Sequence, residues 1–328
     1  MSISLKTHKM LWGRSGNKCA ICKTDLVEDI TETDDYSIVG EEAHIVAREK
    51  KGPRGNSPLE KTKRDLYSNL ILLCQKHHKI IDDHELEYPV EKLHEIRQNH
   101  LDWVKQSLGQ AGLAKQKDDE DYATIIEKVA ELANFDRWNG WSGYILSNGQ
   151  PQINQKIFQN LEELNLFILS RIWPKRYTNL ELALNNLRYI LNDFIKVFSK
   201  YSQARGNDYF YTRKFYQASD DFQPNIYDKQ LAKYNYHVDL VQDLMYEMTR
   251  AMNYLIRQIR CYISPSFRSA EGVLMVTTGP GMDLKWSTVR LEYETSDAES
   301  EMYKGLNDFM SARAGKEHFG TGVSKDYI

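Results

Sequence analysis

The feature that most constrains this fold is a matched pair of short motifs that stand far apart in the chain. Cys19 and Cys22 are separated by two residues, and Cys74 and His77 have the same spacing. Structural zinc is held tetrahedrally by four nitrogen and sulfur ligands, commonly supplied as two such short-spaced pairs. The spacing therefore predicts a Cys₃His zinc site that ties two distant segments into one small module.

The alternative interpretation of each cysteine is a small buried hydrophobe, which is common for a free thiol. We expect this for Cys261, which stands among isoleucine and tyrosine residues at helical spacing. It does not account for the other three cysteines, all of which lie between residues 19 and 74. Such clustering in a chain with only 4 cysteines indicates metal binding rather than a disulfide framework.

Two further segments carry polar residues of the types that catalyse hydrolysis. Glu41–Ile45 reads Glu-Glu-Ala-His-Ile, and Asn69–Lys79 reads Asn-Leu-Ile-Leu-Leu-Cys-Gln-Lys-His-His-Lys. The combination of these segments with the two ligand pairs resembles the HNH endonuclease family, whose ββα-metal module cuts nucleic acid. The resemblance covers about residues 10–105 and implies nothing specific for the rest of the chain.

By this resemblance, three residues acquire catalytic roles. His44 is the expected general base, His78 binds the catalytic metal, and Asn69 orients either the loop or the base histidine through its amide. Many family members have Cys-x-x-Cys-His as the second motif, whereas this chain has Cys-x-x-His-His. We therefore assign His77 to zinc and His78 to the catalytic metal, and the sequence leaves the swapped assignment open.

Ala43 departs from the family pattern, in which the residue before the base histidine is often an Asp or His that also binds the catalytic metal. Three carboxylates could replace it: Glu42, Glu41 and Asp82, the last one helical turn after His78. β-forming residues predict a strand over residues 36–46, and alternate residues of a strand share a face. Glu42 is thus expected on the side of His44 and is the preferred ligand. The resemblance implies Mg²⁺, Mn²⁺ or another divalent ion there.

The charge of the chain is uneven. The net charge of −3 argues against a protein that coats nucleic acid with its whole surface, but residues 44–79 carry 9 Lys+Arg against 3 Asp+Glu. We expect the basic loop within this segment, from Arg48 to Arg64, to contact phosphates of double-stranded DNA, and a solvated charged loop is the alternative. Nothing in it predicts direct base readout. The expected contact residues are Arg48, Lys50, Lys51, Arg54, Lys61, Lys63 and Arg64.

The predicted fold class is α+β, with a small zinc-stabilised ββα-metal module followed by a mainly α-helical domain. The module spans residues 1–108, a polar, glycine-bearing linker spans 109–121, and the helical domain spans 122–328. Apolar periodicity predicts helices over 153–173, 180–202, 227–263 and 298–312. A β-hairpin is predicted from 271–278 and 284–293, joined through Gly279-Pro280-Gly281.

The helical domain shows no catalytic motif. His237 and His318 are isolated and are expected to be structural or exposed. The aromatic stretches 135–144 and 209–216 suit helix packing, with base stacking or the lining of a ligand pocket as the alternative. The long helix 227–263 is the predicted interface for a homo-oligomer or a regulatory protein partner.

The leading hypothesis is a metal-dependent HNH endonuclease that cuts DNA, acting in bacterial restriction or anti-phage defence under the control of its helical domain. The alternative is a non-catalytic zinc module that binds nucleic acid or a partner protein, which Ala43 keeps open. A third possibility is an effector toxin. Such toxins usually carry the nuclease at the C-terminus, whereas the nuclease-like segment here is N-terminal, which counts against this possibility. The sequence shows no export signal and no apolar run of membrane-spanning length, so we expect a cytoplasmic protein without membrane contact.

Overall fold

The computed structural model describes residues 3–28, 37–146, 149–206, 208–217, 224–279, 284–293 and 302–313. The chain divides into two compact units, Met1–Glu127 and Lys128–Ile328. Small antiparallel sheets accompany many helices, which confirms the α+β class.

The described residues of unit 1 contain two helices, most of a third helix and two short antiparallel strand pairs. These elements are α1 (Leu5–Arg14), β1 (Val27–Glu28), β2 (Ser37–Ile38), β3 (Gly40–His44), β4 (Leu70–Cys74), α2 (Gln75–Asp83) and α3 (Val90–Leu132). Strand β1 pairs with β2, and β3 pairs with β4. The predicted strand over 36–46 is thus present as β2 and β3, with Tyr36 outside the described residues.

The β3–β4 pair forms the centre of unit 1. Four successive apolar residues, Leu70 to Leu73, are all buried, because this strand has packing partners on both of its faces. Its register sets Gly40 opposite Cys74 and His44 opposite Leu70. Helix α2 begins directly after Cys74, so the order of elements at this point is strand, strand, helix.

The predicted linker is helical. Residues 110–121 belong to α3, and only Gly109 has a non-helical backbone, at φ 64° and ψ 179°. The segment contains no proline, and its Ala, Lys and Gln residues favour helix despite their polarity. A pair four residues apart, Lys115 Nζ to Asp119 Oδ2 at 2.8 Å, adds to its stability. The two compact units divide after Glu127, later than the sequence predicted.

Unit 2 is mainly helical. Its named elements are α4 (Trp138–Leu146), β5 (Gln152–Asn154), α5 (Gln155–Leu169), α6 (Thr178–Lys200), β6 (Ser202–Arg205), β7 (Tyr209–Thr212), α7 (Pro224–Tyr262), β8 (Met275–Thr278), β9 (Ser287–Arg290) and α8 (Leu306–Arg313). The first three strands form an antiparallel sheet in the order β5-β7-β6. Strands β8 and β9 form the predicted hairpin, and residues 280–283 between them lie outside the described part.

Helix α7 is the core of unit 2 rather than an open interface. Every residue from Leu240 to Ile256 is buried except Tyr246 and Arg250, as expected for a helix with neighbours all around it. The Asn253 amide holds the hairpin to this helix by donating to the carbonyls of Leu274 and Leu291, at 2.9 and 2.8 Å. The prediction of α7 as an oligomer interface is therefore wrong over this segment.

Three other expectations for unit 2 have mixed outcomes. Cys261 is exposed, so its predicted core position is wrong; it lies in the last turn of α7, between the buried residues Ile259 and Ile263. Trp138 and Trp141 are buried and meet edge to face at 4.8 Å, which supports packing as the role of the first aromatic stretch. The last predicted helix begins at Leu306, and residues 294–301 and His318 lie outside the described residues.

No helix in the described part of the chain combines the length and the apolar character that a bilayer span requires.

The close packing at Gly40 gives a test of the unit 1 core. A Cβ on Gly40 would lie 2.7 Å from Trp12 Cη2 and 2.8 Å from Leu26 Cβ. We expect Gly40→Ala to lower the free energy of unfolding by about 1–3 kcal/mol, because rigid neighbours must move. In helix α4, Gly140 has no atom within 4 Å of its added Cβ, so Gly140→Ala should leave stability equal or higher. Urea unfolding of both variants checks this, and wild-type stability of Gly40→Ala would contradict the packing.

Candidate active site and metal centre

The first ligand pair lies in a tight turn that follows α1. Gly16 and Asn17 adopt positive φ, at 60° and 56°, as expected for the residues that turn the chain. The Cys19 amide donates to the Thr24 carbonyl at 3.0 Å, and the Lys23 amide donates to the Cys19 carbonyl at 2.9 Å. These bonds fold Cys19–Thr24 back on itself and bring the two cysteines to the same side.

The second ligand pair lies at the junction of β4 and α2. Cys74 is the last residue of the strand and the N-cap of the helix, and His77 follows in the first helical turn. The two ligand pairs are joined by backbone as well as by side chains, since the Ala20 amide donates to the Leu72 carbonyl at 2.9 Å.

The four predicted ligands converge. One ligand atom from each of Cys19, Cys22, Cys74 and His77 lies within 4.8 Å of all the others. The separations include 4.0 Å between the Cys22 and Cys74 sulfurs, and 3.7 and 3.2 Å from His77 Nδ1 to the Cys19 and Cys74 sulfurs. Around one tetrahedral zinc, sulfur–sulfur and sulfur–nitrogen edges are about 3.8 and 3.6 Å. This group can therefore hold one metal ion, with His77 and not His78 as its nitrogen ligand.

The thiols of this cluster differ in acidity. Burial raises the pKa of the Cys19 thiol. Burial also acts to raise the pKa of Cys22, but hydrogen bonds with Thr24, Cys19 and Cys74 outweigh it and lower that pKa to about 6. A thiol that ionises near neutral pH suits metal binding, because the thiolate is the ligand.

His44 forms a dyad with a carboxylate that the sequence analysis missed. Its Nε2 lies 3.0 Å from Asp65 Oδ1, and the other carboxylate oxygen lies 3.6 Å from Arg48 Nε. The His44 side chain is 24% exposed, which leaves it accessible to solvent. A carboxylate on one imidazole nitrogen fixes the ring and its tautomer, and so prepares the other nitrogen to accept a proton.

Asn69 holds the loop rather than the base. The residue is buried, and its side chain makes both bonds of a backbone-like pair with Val46: the Val46 amide donates to Oδ1 at 3.0 Å, and Nδ2 donates to the Val46 carbonyl at 2.9 Å. Nδ2 also donates to the Arg64 carbonyl at 2.8 Å. Of the two roles expected for Asn69, the structure shows the contact with the loop.

His78 contacts two carboxylates, and Glu42 is not one of them. Its Nδ1 lies 2.6 Å from Glu41 Oε2, and its Nε2 lies 3.4 Å from Asp82 Oδ2. The preference for Glu42 is thus wrong on geometry: that carboxylate contacts His8 Nδ1 at 2.5 Å and the Trp12 indole at 2.9 Å. Both of these partners belong to α1, which therefore occupies the Glu42 carboxylate.

Arg54 joins the end of β3 to α2. Its guanidinium donates to the carbonyls of Ile45 and Ile81 and to Asp82 Oδ1, each at 2.6 Å. Only 4% of its side chain is exposed. One buried cation therefore holds Ile45, the residue after His44, together with Ile81 and Asp82 at the end of α2. Arg54 was predicted to contact nucleic acid, and this burial corrects that prediction.

Arg64 is the second correction in the basic loop. It is buried, and its guanidinium donates to four backbone carbonyls, those of Ala47, Gly55, Leu59 and Ser57, at 2.7 to 3.3 Å. These bonds satisfy loop carbonyls that lack partners in regular structure. The other predicted contact residues are exposed: Arg48, Lys50, Lys51, Lys61 and Lys63.

The sequence contained a signal for Asp65. It is the only acidic residue between Lys61 and Asn69, in a stretch that is otherwise basic or neutral. A carboxylate directly after Lys63 and Arg64 suggests a specific partner, and that partner is His44. The inward direction of Arg54 and Arg64 has no comparable signal, because it depends on which carbonyls the folded loop leaves unpaired.

The contrast between two arginines in this loop can be tested by the same substitution. Arg64→Lys removes the planar fork that serves four backbone carbonyls, so we expect it to lower the free energy of unfolding by about 2 kcal/mol or more. Arg48→Lys changes an exposed side chain and should change the free energy of unfolding by less than about 0.5 kcal/mol. Chemical unfolding of both variants measures the difference. Equal stabilities would show that Arg64 does not support the loop.

Comparison with protein families matches residues 19–86 to the family described as HNH endonuclease. A search of curated proteins gives no match. The matched segment contains both ligand pairs, the strands β3 and β4, and helix α2. Over residues 19–86, the chain is therefore similar to the HNH endonuclease family, and the match does not extend to the rest of the chain.

Proposed function

We propose that unit 1 is a metal-dependent endonuclease that hydrolyses phosphodiester bonds in DNA. The observation that carries this proposal is a histidine–carboxylate dyad at the end of β3. The dyad shares a small strand–strand–helix unit with a second histidine that contacts two carboxylates. The first arrangement suits a general base and the second suits a divalent cation, which are the two parts that hydrolysis of a phosphodiester needs.

In this proposal the cluster of three cysteines and His77 holds a structural zinc. Three sulfurs and one imidazole are soft and borderline ligands, which favour zinc over magnesium or calcium. All four positions are filled by protein, so no open position remains for a substrate. Zinc here would stabilise the fold of unit 1 and would take no part in the reaction.

His44 is proposed to take a proton from the attacking water. With Nε2 held by Asp65, the proton goes to Nδ1, and the Asp65 carboxylate stabilises the imidazolium that forms. The resulting hydroxide forms a bond to phosphorus, the bond from phosphorus to the leaving oxygen breaks, and that oxygen takes up a proton from solvent. A divalent metal, when bound, neutralises the charge that develops on the phosphate.

His78 and Glu41 are the proposed protein ligands of that metal. Glu41 contacts Nδ1 of His78, whereas Asp82 contacts Nε2, so one ion cannot use the imidazole with both carboxylates in this arrangement. Asp82 is also engaged by Arg54 at 2.6 Å, which favours Glu41. Magnesium and manganese accept few protein ligands and complete their shell with water and phosphate oxygens, so a two-residue site fits them.

The exposed cations of the basic loop are the proposed contacts to duplex DNA. Lys61 and Lys63 each have an acidic neighbour, Glu49 and Glu60 respectively, while Lys50 and Lys51 are exposed beside them. Each cation that replaces a counterion on a phosphate adds salt-sensitive affinity without sequence preference. This supports a nuclease whose loop binds the phosphate backbone of DNA and does not read the bases.

The wider role we propose is a bacterial restriction or anti-phage effector in the cytoplasm, where thiols stay reduced. Unit 2 would control or direct the nuclease, as an oligomer or with a protein partner. The support for this role is the arrangement of the chain. Among the described residues, the one group of three or more converging metal ligands lies in unit 1. Unit 2 is larger and mainly helical.

A second candidate function is supported by Ala43. This residue is fully buried and apolar at the position where the family often supplies a metal ligand. Unit 1 could then be a zinc module that binds nucleic acid or a protein without cutting. The two candidates differ in how they depend on His44. The nuclease needs this residue to cut DNA, whereas a non-catalytic module does not need it to bind.

The structural role of zinc can be tested with cysteine variants. Cys19→Ser and Cys74→Ser should each reduce bound zinc from about one per chain and unfold unit 1, because metal binding and folding are coupled in such small sites. Cys261→Ser is the matched control, since that thiol is exposed in α7. Elemental analysis and circular dichroism measure the two effects. Full zinc content and unchanged melting of Cys19→Ser would refute the site.

The role of His44 can be tested on supercoiled plasmid with added Mg²⁺ or Mn²⁺. Removing a general base typically lowers the rate about 100-fold or more, so we expect nicking by His44→Ala to fall at least that far. Asp65→Asn should lose about 10–100-fold, because it leaves the base without its orienting partner. His84→Ala removes an exposed histidine of the same unit and should cut normally.

Two outcomes would decide between the candidates. Metal-dependent nicking that His44→Ala abolishes, with zinc content and melting unchanged, supports the nuclease. Nicking that is equal in the wild type and in His44→Ala would overturn the assigned base. DNA binding without nicking under either metal, and with equal affinity in His44→Ala, would favour the non-catalytic module.

A further inference from the structure

The three-stranded sheet of unit 2 has two faces of opposite character. Strand β7 is its central strand, and Ile153 of β5 lies opposite Phe210 of β7. Residues paired in this way share one face of a sheet. This is the inner face, because Ile153 is fully buried and the Phe210 ring meets the Phe158 ring of α5 edge to face at 5.5 Å. Tyr209 and Tyr211, the neighbours of Phe210, therefore project from the outer face.

The residues opposite these two tyrosines are polar. Gln152 of β5 and Gln203 of β6 flank Tyr211, and Arg205 of β6 lies opposite Tyr209. Both residues of β6 are exposed, and both tyrosines are partly exposed. On the outer face the three strands contribute no aliphatic side chain. This face therefore combines two aromatic rings with amide and guanidinium groups.

The spacing of the tyrosines suits an extended strand of nucleotides. They stand two residues apart on β7, so their backbones are separated by about 6.8 Å. This is twice the spacing of about 3.4 Å between the phosphates along one strand of a duplex, so each ring can serve one base of a strand that is drawn out. Among the described residues, the Tyr211 ring has no ring partner, and Tyr209 meets the half-exposed Tyr144 ring of α4 at 5.8 Å.

The surroundings of the two tyrosines are basic. Residues 200–214 contain four Lys+Arg against a single acidic residue. Arg205 is paired with Tyr209 at one end of β7, and Arg213 follows the other end of the strand. Both arginines are exposed, and within the described part of the chain neither forms an ion pair. The sheet thus presents its aromatic rings between two available cations.

We propose that the outer face of this sheet binds single-stranded nucleic acid, with successive bases stacked on Tyr209 and Tyr211 and the phosphates beside the two arginines. Stacking requires the faces of the bases, which a single strand exposes and a duplex conceals. The arginines match the charge of the phosphates, and the neighbouring glutamine amides suit the polar edges of the bases. Stacking is common to DNA and RNA, so the experiment includes both. This inference does not rest on the nuclease activity of unit 1.

Fluorescence anisotropy of labelled probes of about 12 nucleotides, recorded on the full-length protein without added divalent metal, tests the proposal. The probes are oligo(dT), oligo(rU) and a DNA duplex of equal length. We expect at least one single strand to bind. Joint substitution of Tyr209→Ala and Tyr211→Ala should weaken that binding at least about tenfold and leave duplex binding unchanged. Tyr189→Ala is the matched control, because this tyrosine of α6 is 51% exposed and lies outside the sheet.

Two further variants separate stacking from charge. Tyr209→Phe combined with Tyr211→Phe keeps both rings and should bind single strands within about threefold of the wild type. Arg205→Gln should lower the slope of log affinity against log salt concentration by about 0.7, as expected when a single strand loses one phosphate contact. The melting temperature of each variant shows whether it is folded.

Photocrosslinking of the wild-type protein to oligo(dT) and oligo(rU) that carry 5-bromouracil locates the contact without any substitution. We expect mass spectrometry to find the crosslink at Tyr209 or Tyr211. Failure of both single strands to bind would overturn the proposal, as would crosslinks confined to unit 1. Unchanged single-strand binding by the folded alanine variant would also overturn it. Equal weakening of duplex binding would overturn the preference for single strands.

Discussion

The meeting of two ligand pairs at the start of α2 is the constraint on which unit 1 depends. Cys74 ends β4 and caps α2, so the ligand cluster fixes the position and direction of this helix. His77 then turns toward the cysteines, and the next residue, His78, is directed to Glu41 on the neighbouring strand. A metal ion at the cluster would therefore position His78, the proposed ligand of the catalytic metal, as well as stabilise the fold.

The basic loop shows how one type of residue serves two purposes. Arg54 and Arg64 are turned inward and satisfy backbone carbonyls that regular structure leaves unpaired. Their neighbours Lys50 and Lys51 remain exposed. Arginine suits the inner role, since its planar fork can serve several acceptors at once, whereas lysine offers a point charge on a flexible stem. The basic residues of this loop are thus divided between two roles: the two inward arginines hold the loop together, and the lysines face solvent.

How much the sequence predicted depends on how local each cause is. The ligand cluster was predictable, because spacing alone pairs Cys19 with Cys22 and Cys74 with His77. The choice between Glu41 and Glu42 was not, since alternation along a strand does not show that two side chains of α1, His8 and Trp12, contact Glu42.

The other two differences have separate causes. The helical conformation of 110–121 follows from residue propensities that outweigh polar composition. Cys261 is exposed although Ile259 and Ile263 are buried, because the last turn of α7 buries only part of its circumference.

The most direct measurement is anomalous scattering from crystals grown with Mn²⁺ and a short DNA duplex, recorded at the zinc and manganese edges. We predict a zinc peak among the three cysteines and His77, and a manganese peak at His78 and Glu41. A zinc peak without manganese at His78 would contradict the proposed nuclease site.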